Sequence, residues 1–545
     1  MDNLSTDQPL SAKEREIVAP YVTNLEGSVF GLTGLPEVVK GALFARYSRS
    51  PKGLRRLLVD EFIDPDVSAA SGGRAGEARA EALFDRVLAE YGDDSVAQLG
   101  GAHIAVEGAS NLLTKVLQWG RLASYLEQST RYIRFTDRPG GEYRYHRPQE
   151  VMADPAAAEA YVRTLDGAFE VYGRLIPLLI AHFDRAVPPD PDTPPEARAR
   201  AIGARALDAL RGLLPAATTA NVGIFASGQA YEALLLRLMA HPLPEARRCG
   251  EAMLIELRKV IPAFLTRVDR EDRGVAQAAY LRNTAEATAG VAREAWGEGV
   301  EGPDGPAVRL VDFDPDGEAR VVAHALWPDS GRSLPEVMRA ARAMVGEERA
   351  RVLEVYAGSR GDRRHRPGRA LEATTYAFEV VCDYGAYRDL QRHRLLSLQA
   401  QPLTPRLGYD LPDEVGEAGG ADEYARSQQA CVALHDALAG DHPAEAAYAV
   451  TLAHRVRFTM VMNAREAMHV AELRSQPQGH ASYRWVAQEI HRQIAEVAGH
   501  GAIAATMSFV DRSEPGAGRM AAERRAEARR SGRVNGHRSN GGAGR

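Results

Sequence analysis

Cysteine is nearly absent from this chain. Cys249, Cys382 and Cys431 are the only three among 545 residues, and no two form a CxxC pair. That argues against a disulfide framework and a structural zinc site, and makes a reducing cytoplasm the expected compartment. Lysine is almost as scarce, with five among the 67 basic residues and arginine making up the rest. Beside so much alanine, the arginine excess reads as compositional bias and says little about function by itself. Long apolar runs are missing too. The longest, around residues 175–181, is far short of the roughly 20 residues a membrane helix needs. The first residues, Met1-Asp2-Asn3-Leu4-Ser5-Thr6, have neither the basic nor the apolar stretch of a signal peptide. A net charge of −6 excludes a global positive field for nucleic acid. A soluble cytoplasmic protein with no membrane and no nucleic-acid partner is expected.

What is present is ordinary for globular chains: 45% apolar and 26% charged residues. The length predicts two or three domains. Apolar residues recur at three- and four-residue spacing over 200–213, 229–238, 245–260, 334–356 and 446–473, which predicts helices. Strands are expected over 308–313, where residues alternate before an Asp314-Pro315-Asp316-Gly317 turn, and over the β-branched and aromatic stretch 374–382. The class is therefore α+β and helix-rich. Helical density falls after about Thr266, and a Gly/Pro-rich break follows at 297–306, which puts a domain boundary there. From Arg519 eight arginines face Glu523 and Glu527 in an apolar-poor segment, expected to be a disordered, solvated basic tail. Nucleic-acid contact is its lesser reading.

The usual catalytic signatures are absent: no GxxxxGK[ST], no GxGxxG after a strand, no HExxH and no GxSxG. Three polar clusters remain. Arg388-Asp389-Leu390-Gln391-Arg392-His393-Arg394-Leu395-Leu396-Ser397 follows the second strand and offers guanidinium forks to a phosphate or ring carbonyl. Alone it reads as readily as a solvated turn, as Arg364-His365-Arg366 does. Glu127-Gln128-Ser129-Thr130-Arg131-Tyr132, if extended, turns Glu127, Ser129 and Arg131 to one side, where a hydroxyl and a guanidinium suit phosphate. An edge strand of mixed polarity would look the same. In Asn463–Arg474, Asn463, Val470 and Arg474 share a helix face, with His469 to its side. Together the clusters point to gripping an anionic, nucleotide-like ligand. The halves also echo each other: Arg121-Leu122-Ala123-Ser124 answers Arg394-Leu395-Leu396-Ser397, which suggests an internal duplication.

In combination these blocks resemble the flavin-dependent thymidylate synthases, whose signature RHRxxSxNExSxRY is followed by a helix carrying NxR. Arg392-His393-Arg394-Leu395-Leu396-Ser397 matches the first part. Asn463-Ala464-Arg465 and Arg474 match the later helix, with His469 where the family usually has Asn. In the first half Ser124, Glu127, Ser129, Arg131 and Tyr132 match the second part of the signature, but Trp119-Gly120-Arg121 replaces RHR and Ser227-Gly228-Gln229 replaces NxR. Ala45-Arg46-Tyr47-Ser48 is similar to the family's early ARxS, and Arg211 to an arginine placed before its last helix. In the second half Gln401-Pro402-Leu403-Thr404-Pro405-Arg406 departs from ExSxR.

The resemblance implies two tandem family-like domains: residues 1–270, a linker at 271–305, residues 306–515, and the tail 516–545. It implies a composite site. Arg392, His393, Arg394, Asn463, Arg465, His469 and Ser48 would hold FAD, while Glu127, Ser129, Arg131, Arg211 and Arg474 would hold the nucleotide, with Arg474 catalytic. The implied reaction is reductive methylation of dUMP to dTMP, with methylenetetrahydrofolate and NADPH as co-substrates. A homodimer of tandem chains would imitate the family homotetramer. Methylation of another pyrimidine nucleotide such as UMP, or non-catalytic flavin or nucleotide binding, is the alternative.

Overall fold

The computed structural model describes residues 10–26, 29–47, 50, 52–62, 98–131, 133–189, 193–297, 299, 302 and 305–513. Ser48, Tyr132 and the 516–545 tail lie outside them. Among the described residues the strands are β1 (Gly101–Ser110), β2 (Ala123–Glu127), β3 (Thr219–Ser227), β4 (Ala307–Phe313), β5 (Thr375–Asp383), β6 (Ser397–Ala400) and β7 (Arg455–Asn463). The described residues fall into two compact units. One draws on residues 1–109, 116–128 and 220–298, the other on 110–115, 129–219 and 299–545. No helix among them is long and apolar enough to cross a membrane.

The first unit holds a three-stranded sheet in the order β1-β3-β2. Along β3 burial alternates with the pleat: Val222, Ile224 and Ala226 are buried and Asn221, Gly223 and Phe225 exposed. The Gly228–Ala240 helix starts on Ser227, whose hydroxyl accepts the Ala230 amide, and packs on Pro244–Arg258.

The second unit is built on an antiparallel sheet ordered β4-β5-β7-β6. β5 and β7 pair from Thr375↔Asn463 to Asp383↔Arg455. The Ala481–Glu496 helix lies on β4 and β5 through Tyr483, Val486, Ala487, Ile490 and Ile494, which recur once per turn.

Both expected strands form, as β4 and β5. Three helical expectations change. The 446–473 stretch is not one helix: it holds a short 3-10 turn, then the strand β7, then the Ala464–Arg474 helix. Val456, Phe458, Met460 and Met462 are buried and alternate with more exposed neighbours, so the governing period is two. The 334–356 helix is broken, because Val345 turns extended and caps Gly346–Ala357 while Glu348 accepts its amide at 3.0 Å. The stretch read as poor in helix contains Ala276–Trp296, which buries only Ala278. Alanine-rich propensity, rather than an apolar stripe, carries it.

The tandem duplication is visible in the chain's connections. β1, the Asn111–Leu117 helix and β2 repeat as β5, the Tyr384–Leu390 helix and β6. β3 with Gly228–Ala240 repeats as β7 with Ala464–Arg474. Within the second unit the loops before β3 and β7 pair about Pro215 and Thr451. Ala216 N donates to Val450 O at 2.7 Å and Leu452 N to Leu214 O at 2.9 Å; exchanging the halves maps one bond onto the other. Tyr161 and Tyr424 likewise donate to the carbonyls of His146 and Asp410.

Candidate functional site

Three arginines far apart in sequence meet in the second unit. Arg131 follows β2. Arg211 begins the 3-10 turn after the Pro195–Leu210 helix, and Arg474 ends the Ala464–Arg474 helix.

Arg131 places a two-pronged grip on Asp208, with Nε to Oδ1 at 2.6 Å and Nη2 to Oδ2 at 3.2 Å. Its Nη1 donates to the Tyr483 hydroxyl at 3.0 Å and its Nη2 to the Gln478 carbonyl at 2.9 Å. Burial opposes its charge, but Asp208 and Tyr483 outweigh burial and raise its pKa. Arg211 is 3% exposed and stands 3.5 Å from Asp389, 3.9 Å from Asp383 and 4.0 Å from Asp208. Its Nε and Nη2 make no hydrogen bond. Glycine at 385 eases this approach, since a Cβ there would lie 2.9 Å from Asp383 Oδ1 and 3.1 Å from Arg211 Nε. Asp383 in turn caps the Tyr384–Leu390 helix through the Ala386 amide.

Arg474 Nε donates to His393 Nε2 at 2.9 Å, its Nη1 is 3.7 Å from Asp389, and its guanidinium carbon sits 5.5 Å from the Tyr483 ring centroid. Burial raises the Asp389 carboxyl, but Arg474, Arg211, Arg392 and Arg131 overcome it and hold the pKa at about 2. His393 is pushed down to about 4, chiefly by burial, with Arg474 adding to the effect and the Glu466 bond opposing it. Glu466 is raised by burial but drawn down to about 2 by bonds from His393 and His469. A cavity of about 530 Å³ opens beside Asp208, Arg211, Asp383, Asp410, Tyr424 and His480.

The structure therefore brings Arg131, Arg211, His393 and Arg474 together. The other expected site residues sit differently. Arg392 and Arg394 are exposed beside His393. Asn463 caps its helix, accepting the Glu466 amide at 2.9 Å. Arg465 holds Glu372 at 3.0 Å and the Pro367 carbonyl at 3.1 Å. His469 faces Glu466 at 3.4 Å and, with Arg465, lines a small recess with Arg360, Arg363 and Arg366. The 127–131 segment is not extended throughout. β2 ends at Glu127 and the Ser129 hydroxyl accepts the Arg131 amide at 3.2 Å, so the three side chains do not alternate along a strand. Glu127 lies buried in the first unit and accepts from Gln118 at 2.8 Å. Arg364-His365-Arg366 is an exposed turn.

Sequence reasoning gave no role to Asp208, Asp389, Glu466, His480 or Tyr483. Asp208 carried a signal, lying three residues before Arg211 on the same helical run. His393, Glu466 and His469 are, among the described residues, a group close enough to hold a metal ion. Their facing atoms already satisfy one another, and the Arg474 guanidinium against His393 opposes a cation, so the trio reads as a hydrogen-bond relay.

The family profile described as "Thymidylate synthase complementing protein" matches residues 44–263 and again residues 309–499. The chain belongs to the thymidylate synthase complementing protein family. It is a tandem of two such domains, and relatives match it over most of its length. The UPF0159 protein of Chlamydia pneumoniae is 39% identical, covering 96% of this chain and 99% of the relative. UPF0159 protein Ta1429 of Thermoplasma acidophilum is 29% identical, covering 89% and 97%. Among solved structures, the UMP/dUMP methylase PolB from Streptomyces cacaoi bound with 5-Br dUMP aligns at 17% identity and a TM-score of 0.29, over 38% of this chain and 97% of that one.

Proposed function

We propose that this thymidylate synthase complementing family member methylates dUMP to dTMP reductively, with methylenetetrahydrofolate giving the carbon and NADPH the electrons, at one composite site per chain. The observation that carries this reading is the convergence of Arg131 and Arg211, from the first half, with His393 and Arg474, from the second, around Asp389. The duplicated positions lack that chemistry. Counted from the helix caps Ser227 and Asn463, Leu238 stands where Arg474 does. Counted from Pro215 and Thr451, Ala447 stands where Arg211 does, and Gly120 answers His393. A second site made by exchanging the halves would lack the counterparts of these three side chains.

The exposed guanidiniums of Arg392 and Arg394, with Arg465 and His469, suit the pyrophosphate of FAD, a donor set of the right sign and number. FAD held by these residues would supply the hydride chemistry. The chain's own residues do the rest. Arg211, with two unbonded buried donors, takes nucleotide oxygens, and Arg131 braces Asp208 and Tyr483 around it. Arg474 donates to a uracil carbonyl and stabilises negative charge developing on the ring, in a buried setting where such stabilisation is strong. Asp389 holds both cations in place. The cysteines are poor nucleophiles here: burial pushes Cys249 and Cys431 up to about 12 and Cys382 well above its ordinary value. Two tandem chains would pair as a dimer in the cytoplasm.

The test is the absorbance spectrum of the purified chain, followed by tritium release from 5-tritiated dUMP with UMP in parallel. One flavin per chain, with less bound by an Arg392→Ala/Arg394→Ala variant, and turnover of dUMP support the reading. A chain that takes up no flavin and turns over neither nucleotide overturns it. Turnover of UMP alone moves the substrate to the ribonucleotide.

A further inference from the structure

The relay behind Arg474 fixes where protons sit. A guanidinium has only donors. Because Arg474 Nε approaches His393 Nε2 at 2.9 Å, that ring nitrogen must accept and carries no proton. A neutral imidazole then holds its proton on Nδ1, which faces Glu466 Oε1 at 3.1 Å. The other carboxylate oxygen faces His469 Nδ1 at 3.4 Å, and the two imidazole rings lie 4.9 Å apart. His393 is 5% exposed and Glu466 3% exposed, so water offers no substitute partner. Burial keeps His393 uncharged and the two histidine bonds keep Glu466 ionised at neutral pH. The Asn463 cap fixes the Glu466 backbone amide at the helix start, so the carboxylate is held from behind as well.

We propose that Glu466 is a positioning residue for Arg474. It locks His393 in the Nδ1-protonated tautomer, whose bare Nε2 holds the Arg474 guanidinium in its working orientation. With the proton on Nε2 instead, an N–H would face the N–H of a cation and Arg474 would be driven off. His469 takes the second oxygen and keeps the carboxylate from rotating. This rests on the role given to Arg474 above, but its central claim is a protonation state that exists without substrate.

The test uses the full-length protein labelled with ¹⁵N-histidine, with the His393 signals assigned by their loss in His393→Gln. Long-range proton–nitrogen spectra at pH 7 are expected to show His393 protonated on Nδ1. Glu466→Gln, which can present an N–H to Nδ1, is expected to shift the ring toward the Nε2-protonated form and to lower kcat for dUMP at least about tenfold with little change in KM. Glu466→Asp is expected to restore the tautomer and part of kcat. An Nε2-protonated or doubly protonated His393 in the parent protein overturns the proposal, as does a Glu466→Gln variant with tautomer and kcat unchanged. If no pyrimidine nucleotide is turned over, the methylation reading fails, and the parent spectrum still decides the relay.

Discussion

Arg131 and Asp208, 77 residues apart, form a two-pronged ion pair with side chains 12% and 5% exposed. Asp208 also receives His480 at 3.2 Å, so one carboxylate ties the turn after β2, the end of the Pro195–Leu210 helix and the entry to the Ala481–Glu496 helix. Removing it takes the carboxylate partner from a buried arginine, which typically costs about 3 kcal/mol or more. Asp208→Ala should therefore lower unfolding free energy by roughly that amount in urea titrations. A loss under about 1 kcal/mol would mean the pair is solvated in solution.

Arg474→Ala should fold and bind flavin yet lose on the order of 10²–10³-fold in kcat, the usual cost of removing a donor aimed at developing charge. Arg474→Lys should recover little, since a single ammonium cannot serve His393 and Asp389 together. Near-parental turnover in the alanine variant would remove Arg474 from the chemistry.

Gly385→Ala keeps every charge but pushes a methyl group toward Arg211 and Asp383. If Arg211 holds the nucleotide, dUMP affinity should fall several-fold while the flavin spectrum stays the same. Unchanged affinity would show that Arg211 has room to move or does not touch the ligand.

Asn463, expected at the cofactor, caps the Ala464–Arg474 helix in the structure. Asn463→Ala should cost about 1 kcal/mol and Asn463→Asp almost nothing, because aspartate caps as well. Flavin affinity measured on both variants separates the roles: a cap predicts that the aspartate variant behaves as the parent, a cofactor ligand that it does not.

Acid should lower the protein's stability in two ranges. His393 has a folded pKa of about 4 against an ordinary 6.5, so its folded form binds fewer protons and stability declines as pH falls from 6.5 toward 4. Asp389, held at about 2 against 3.8, contributes stability present above 3.8 and lost as pH falls toward 2, on the order of 2 kcal/mol. Glu466, also held at about 2, contributes in the same lower range, so Asp389→Asn should lessen the loss there without abolishing it and leave the upper range in pH-dependent denaturation.

Much of the site was legible before the fold. His393 and Arg474 lay in polar clusters picked out by residue type and spacing, and the family resemblance added Arg211 and the complementary losses at Trp119-Gly120-Arg121 and Ser227-Gly228-Gln229. β7 was not legible, because Arg455–Asn463 is followed directly by a helix and the joined stretch satisfies a three- and four-residue spacing by coincidence. The carboxylates escaped notice because an acidic residue in a chain that is 26% charged carries no signal until a cation is placed beside it.

The amino-acid sequence alone determined the class, the two strands at 308–313 and 374–382, the hint of a duplication and the polar clusters that hold the cations, since these depend on residue type and short-range spacing. Only the tertiary structure decided which arginines meet. Arg131, Arg211 and Arg474 are separated by long stretches of chain, and whether each ends beside Asp208, Asp389 or His393 depends on how helices pack over β5 and β7. The same packing removes water from the relay, and without that burial neither the neutral His393 nor the ionised Glu466 would have a fixed proton arrangement.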